Sequence, residues 1–457
     1  MNRLFFLLIL SAFFITNILP QEEPETFVVI GDSLVGKNID GQRIREVNGN
    51  VIMTQGNVNI TCDKAIQFLS TNSAQLIGNV IINQDSLRIF TKQGFYDANT
   101  KTAYSYDGVF LEDGHMTLNA DSGFYYMNDK IADFYGKVRM QDEINNLKSH
   151  KLLYYKNEAR AVATGNVEVR DTGSVVIADS LIHFRDTKIT YGYNNVKIIN
   201  PKERIVITGD YLEDFSPEKT TIVSGNAFFT QIDTAENGTI DTLYILAEKM
   251  TAIQDSSQRI IAEDSVKILR GTFSGRNSKS YYFRDEEKIY MPRQKEDKEP
   301  PVMWYNYSQL SGDTIFIYLE KNELKKMDII KNGLIISQNA NYRYRFDQIS
   351  GDRIKMFFED RKLKRTDIDG SVLSIYYMFE KEEENGLIKS SSKNAVIFFN
   401  DTTIIDVKLY GMPVSEYHPE NLVISNEQSF TLPKFIIYSG RPDKAFIKKR
   451  QEIYGQK

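Results

Sequence analysis

Apolar and polar residues alternate along most of this chain with a period of two, the pattern of strands that bury one face. In Gly165 to Phe184, GNVEVRDTGSVVIADSLIHF, Val167 and Val169 alternate with charged neighbours, and a polar turn follows at Gly173. A second strand is expected over residues 175–184, carrying the step Ala178-Asp179. Fifteen residues after Asp179 the chain reaches Asn194-Asn195-Val196, and the unit starts again.

The recurrence is periodic. Asp63, Lys92, Asp121, His150, Asp179 and Asp210 occupy one position at steps of 29, 29, 29, 29 and 31 residues. Gly49, Gly78, Gly108, Gly136, Gly165, Asn194 and Gly225 mark the opening of each unit with nearly the same phase. Two markers holding one period identify a repeat architecture. Three residues after the Asp position stand Ile66, Phe95, Phe124, Leu153 and Ile182, with Glu213 the exception; five after it stand Phe68, Asp97, Tyr126, Tyr155, Phe184 and Phe215. These two positions share a strand face, so most units are expected to put a bulky pair on one side. The Gly-Asn pairs tolerate positive φ and suit a corner where one strand hands over to the next. The Asp is then a turn or strand-initiating residue first and a ligand second, and the shift of pattern after it predicts a bulge or bend.

The fold class that follows is all-β: an elongated, solenoid-like stack of repeated antiparallel strand pairs. Abundant aromatic and β-branched residues and the near absence of helical periodicity agree. A net charge of −5 argues against a nucleic-acid partner. The lone Cys62 stands where sister units carry Ala120 or Ala178 and reads as a small buried side chain.

Along the chain, residues 1–21 read as a signal peptide, with Arg3 before the apolar run Leu4 to Leu19. Its cleavage site is undefined, and a retained anchor is the alternative. Residues 22–290 form the first repeat region. Residues 291–302, MPRQKEDKEPPV, combine three prolines with dense charge and read as a linker. Residues 303–430 form a second repeat region, where QLSGDTIFIYL from Gln309 and QISGDRIKMFF from Gln348 are copies 39 residues apart. Residues 431–457 leave the pattern and form a tail whose basic run, Lys444 to Arg450, is expected to be solvated.

Catalytic constellations are missing. His115, His150, His183 and His418 lie far apart, and there is no G-x-S-x-G, H-E-x-x-H, paired CxxC or P-loop. The chain is therefore expected not to be an enzyme and to need no cofactor or metal. A β-helix polysaccharide lyase remains the enzymatic alternative, and a structural or adhesive cell-surface β-solenoid the non-enzymatic one.

Gly49-Asn50-Val51, Gly56-Asn57-Val58, Gly78-Asn79-Val80, Gly165-Asn166-Val167, Ala120-Asp121 and Ala178-Asp179 together resemble the OstA-like family. That family comprises lipopolysaccharide-transport proteins: LptA-like bridges, LptC and the N-terminal domain of LptD. The chain is longer than a typical bridge protein and lacks the barrel that follows the LptD domain. The resemblance implies an elongated β-jelly-roll stack whose two sheets enclose an open apolar groove, in a periplasmic bridge between inner and outer membranes that carries lipopolysaccharide. Exposing a single acyl chain of a dozen carbons to water would cost roughly 10 kcal/mol, at about 0.8 kcal/mol per CH₂. The residues expected to line such a groove are Val58, Ile60, Val80, Ile82, Val167, Val169, Ile182 and Phe184.

A ladder that does not close on itself ends in unpaired backbone groups. The docking edge is expected near Val28 to Ile30 or in the Val47 to Met53 strand, at Val51, Ile52 and Met53, because neither stretch carries a proline. Pro413, Pro419 and Pro433 would protect the other end. The resemblance implies LptC-like and LptD-like partners joined by strand addition, with head-to-tail pairing of identical copies also open.

Overall fold

The computed structural model describes residues 26–39, 41–234, 238–381, 383–400 and 403–455; the expected signal peptide lies outside them. The protein is 70% strand and 5% helix, so the all-β expectation holds. The described residues fall into two compact units, one ending at Asp129 and one starting at Lys130.

In both units antiparallel strands follow one another in chain order, and most are bent at one place. Asn48 pairs with Lys64 and Val51 with Cys62, so Gly49 and Asn50 together face Asp63 alone. In the second unit Gly165 and Asn166 face Asp179 in the same way, and Lys331 and Asn332 face Asp352. All six opposing residues take positive φ, between 43° and 80°. Two residues against one is a β-bulge, which bends its strand. The bulge Gly-Asn pairs therefore lie inside continuous strands such as Gln42–Gln55 and Arg160–Arg170, whereas Gly56-Asn57 forms the turn that hands Gln42–Gln55 over to Val58–Phe68. The Asp is the corner residue. Its carboxylate accepts from the Asn of the neighbouring hairpin at 2.9 Å (Asn79 to Asp63), 2.7 Å (Asn195 to Asp179) and 2.8 Å (Asn332 to Asp313).

The corner also explains the glycine. A Cβ on Gly78, at φ 77°, would stand 2.3 Å from Asp63 Oδ2. Gly78→Ala should cost about 2 kcal/mol from strain at positive φ and from this clash. Adding Asp63→Ala should recover part of that loss in urea unfolding; equal stability of wild type and Gly78→Ala would refute the corner packing.

The bends fold the ladder onto itself. In a flat ladder Gln55 and Tyr96 would sit at opposite strand ends, about 30 Å apart at some 3.3 Å per residue. Instead the Tyr96 hydroxyl donates to Gln55 Oε1 at 2.6 Å. Each bent strand thus contributes one arm to each of two facing half-sheets, with an interior between them. The bulge flips the alternation: in Val58–Phe68 the buried residues are Val58, Ile60 and Cys62 before the corner, then Ala65 and Gln67 after it.

Residues 291–302 do not interrupt the ladder. Met291 and Pro292 end the strand Lys288–Pro292, Val302 opens Val302–Tyr305, and residues 293–301 loop between them. Pairing runs on through Lys288 to Tyr318 and Phe273 to Tyr305.

The C-terminal segment is packed. Gln309, Ile336, Gln348 and Ile375 form one cross-strand row on an outer face. Gln348 accepts from Leu432 N at 2.8 Å and donates to Phe430 O at 3.1 Å; Gln309 does the same with Tyr438 N and Ile436 O, at 2.8 and 2.7 Å. Val423 and Leu432 join a core with Leu334, Ile336, Ile375, Tyr377 and Leu387. The run from Lys444, expected to be solvated, begins the helix Lys444–Gly455, whose Ile447 is buried and whose Phe446 meets Phe228 edge-on. Residues 419–447 form a strap across the outer face.

Candidate functional site

The interior is built from cross-strand rows of inward residues. In the first unit Met53, Ile60, Ile82, Ile89, Leu111 and Leu118 are successive register partners, none more than 6% exposed. Its mouth, where the free ends of the two half-sheets meet, is closed by a repeated pair. Tyr96 donates to Gln55, and 29 residues on the Tyr125 hydroxyl bonds Gln84 Oε1 at 2.5 Å. The amides of Gln55 and Gln84 reach back to Ala98 O at 3.1 Å and Met127 O at 3.4 Å. Each latch spans the interior and is buried.

In the second unit the corresponding row runs Leu147, Val169, Val176, Ile198, Ile207, Phe229, Ile245 and Ile268. Leu147 and Ile207 are 5% and 7% exposed, and the last three are at most 1%. Between them Val169, Val176 and Ile198 are only half-buried. The facing half-sheet behaves in parallel. Tyr154 and Ala161 are buried, His183, Thr190, Asp214, Thr221 and Ala252 are half-buried, and Ile260 and Tyr282 are buried again. Both walls therefore open over the same few strands.

Latching explains the difference. Beyond the open stretch, Tyr282 donates to Gln231 at 3.3 Å, Arg270 of one wall donates to Asn322 O of the other at 2.7 Å, and Tyr305 donates to Arg361 O at 2.9 Å. Within it, the phased positions are Asp142, Asp171 and Asn200, which bond their own turns. Asp142 Oδ1 takes Ile144 N and Asn145 N at 2.9 and 2.7 Å, Asp171 takes Gly173 N, and Asn200 takes Glu203 N. His183 contacts Thr190 Oγ1 at 3.0 Å. Burial lowers its pKa despite the nearby carboxylates of Asp142 and Asp214, so the rim is polar and the imidazole leans to its neutral form.

Among the residues expected to line a groove, Val58, Ile60, Val80, Ile82 and Val167 are buried inside, at 0–4% exposure. Val169 lies in the half-open row. Ile182 and Phe184 stand on the opposite face from the buried Leu181, and Phe184 packs edge-on against Tyr191. The edge lies one strand further out than Val51, Ile52 and Met53. Met53 pairs with Val29 on one side and Ile60 on the other, and Ile52 with Ile30 and Thr61. The outermost described strand is Val28–Ile30 followed by Ser33–Ile39, whose Leu34, Val35 and Ile39 are 45–54% exposed. At the other end the outermost strands are Thr403–Tyr410 and Val414–His418. Pro413 and Pro419 flank only the second of these.

Cys62 is buried as expected; its thiol donates to Lys64 O, and burial pushes its pKa up to about 11. Among the described residues no group of three or more His, Cys, Asp or Glu is placed to hold a metal ion. No described helix is long and apolar enough to cross a membrane.

This arrangement of bent strands, corner Gly-Asn pairs and inward rows coincides with a family match. The profile of the OstA-like protein family matches residues 25–169. The match covers 145 of the 457 residues, and over that stretch the chain is similar to the family. No curated protein matches the chain. The OstA-like segment begins one residue before the first described residue and ends at Val169, within the half-open row. The same corner geometry continues beyond it to Lys331-Asn332 and Gly370-Ser371.

Proposed function

We propose that this protein carries lipid, lipopolysaccharide being the preferred cargo, through the apolar interior between its facing half-sheets. The OstA-like family points to lipid transport and binding rather than catalysis, and the half-open row Val169, Val176 and Ile198 carries the reading for this chain. An acyl chain laid along that row replaces exposed apolar surface with apolar contact, at about 25 cal/mol per Å². The periplasm is the compartment this reading requires, with the chain bridging toward the outer membrane. The outermost strands at each end offer backbone pairing to LptC-like and LptD-like partners, or to further copies, by strand addition. These strands are Ser33–Ile39 and Thr403–Tyr410, so a proline at Val35 should weaken docking.

Photo-crosslinking in whole cells tests the carriage. A crosslinker at Val169 or Val176 should capture lipid, while the same group at Glu168, on the outer face, should not. Equal capture on both faces, or none on either, overturns the reading.

A further inference from the structure

We propose that acyl chains enter and leave sideways, through the unlatched stretch between the strands Arg160–Arg170 and Thr220–Thr234, and that the polar latches keep the interior shut elsewhere. This rests on the lipid-carriage reading. The two walls open over the same strands, and the latches are buried where the walls close. Asp142 and His183 are 41 residues apart, the separation of Gln55 from Tyr96 and of Gln84 from Tyr125. They hold the latch positions with shorter side chains, and Asp142 is committed to its own turn. The opening has an apolar floor of Val169, Val176 and Ile198 and a polar rim that includes His183 and Asp214. An amphiphile fits that division: its chain reaches the floor while its headgroup stays at the wet rim. Opening a latch instead would strip a buried glutamine and tyrosine of their partners, which costs roughly 1–3 kcal/mol per unsatisfied group. The side opening avoids that cost.

The test restores the missing latch. Asp142→Gln with His183→Tyr recreates the glutamine–tyrosine pair, and Ile198→Trp separately fills the floor. The purified full chain, with a photo-crosslinker at Ile245 deep in the row, is mixed with alkyne-tagged palmitate, and labelling is followed in time. Loading should slow at least tenfold in each variant whose melting curve matches wild type. If wild type labels and both variants load at its rate, the opening is not the port, while lipid carriage stands. If wild type labels at neither Ile245 nor Val176, carriage fails and the port with it. Should the double variant not fold, the Ile198→Trp result decides.

Discussion

Arg270→Met is expected to destabilise the second unit by about 3–5 kcal/mol, because it strands the buried Asp233 and the partly buried Asp241 without their cation. The Arg270 side chain is 2% exposed. Its Nη1 lies 2.9 Å from Asp233 Oδ2 and its Nε 3.4 Å from Asp241 Oδ2, and Asp233 is 8% exposed. Its remaining nitrogen holds Asn322 O on the facing wall. Methionine fills much of the volume and removes the charge, so the loss would come from the two acids and the freed carbonyl. Adding Asp233→Asn and Asp241→Asn should return most of the stability, since neutral side chains cost less to bury. Thermal and urea unfolding of the three proteins decide it. A single variant within 1 kcal/mol of wild type would mean that water already reaches the cluster.

Arg345→Met should release the C-terminal strap, at a comparable cost of about 3–5 kcal/mol. The guanidinium is fully buried and grips Glu420 with two hydrogen bonds, at 3.1 and 2.6 Å. Glu384 lies 3.0 Å from its Nε and Glu427 3.6 Å from its Nη2. Glu420 also takes Gly386 N at 2.9 Å, so one carboxylate ties strap to ladder. The hydrogen bond from Arg345 holds the Glu420 pKa below its usual value. A carboxylate with a lowered folded pKa contributes stability that is present above its unfolded pKa, near 4.5, and is lost as pH falls through the folded one. The strap should therefore loosen in acid, and Glu420→Gln should flatten that dependence. Hydrogen exchange over residues 419–438 reads both effects. Unchanged protection in Arg345→Met would mean that the Val423 and Leu432 contacts and the Gln309 and Gln348 hydrogen bonds hold the strap without it.

How much of this was legible depends on the corner. The 29-residue period, the Gly-Asn pairs and the Asp at one phase are visible in the sequence because each is a conformational demand on a particular residue. The faces were harder. Strict alternation from Ala178 puts Ile182 and Phe184 inside, but the bulge opposite Asp179 shifts the phase by one, and Leu181 and His183 point inward instead. The latch positions Gln55, Gln84, Asp113, Asp142, Asp171 and Asn200 recur every 29 residues in the sequence. They pass unnoticed because polar residues beside hairpin turns are ordinary. Their partners Tyr96 and Tyr125 stand one residue before the position that strict alternation assigns to the lining face. The strap is invisible to any periodic reading, since it is recognised through the side chains of Gln309 and Gln348 on strands far from it in sequence.

The corner has one more consequence. Because each hairpin carries its own bend, a copy inserted into the gene brings a finished slice of both walls and of the space between them. Each slice advances the ladder by two strand spacings, about 9.5 Å, without altering the cross-section. The length of the ladder is then set by counting copies, and evolution could lengthen or shorten it in whole steps, as one adjusts a chain by its links.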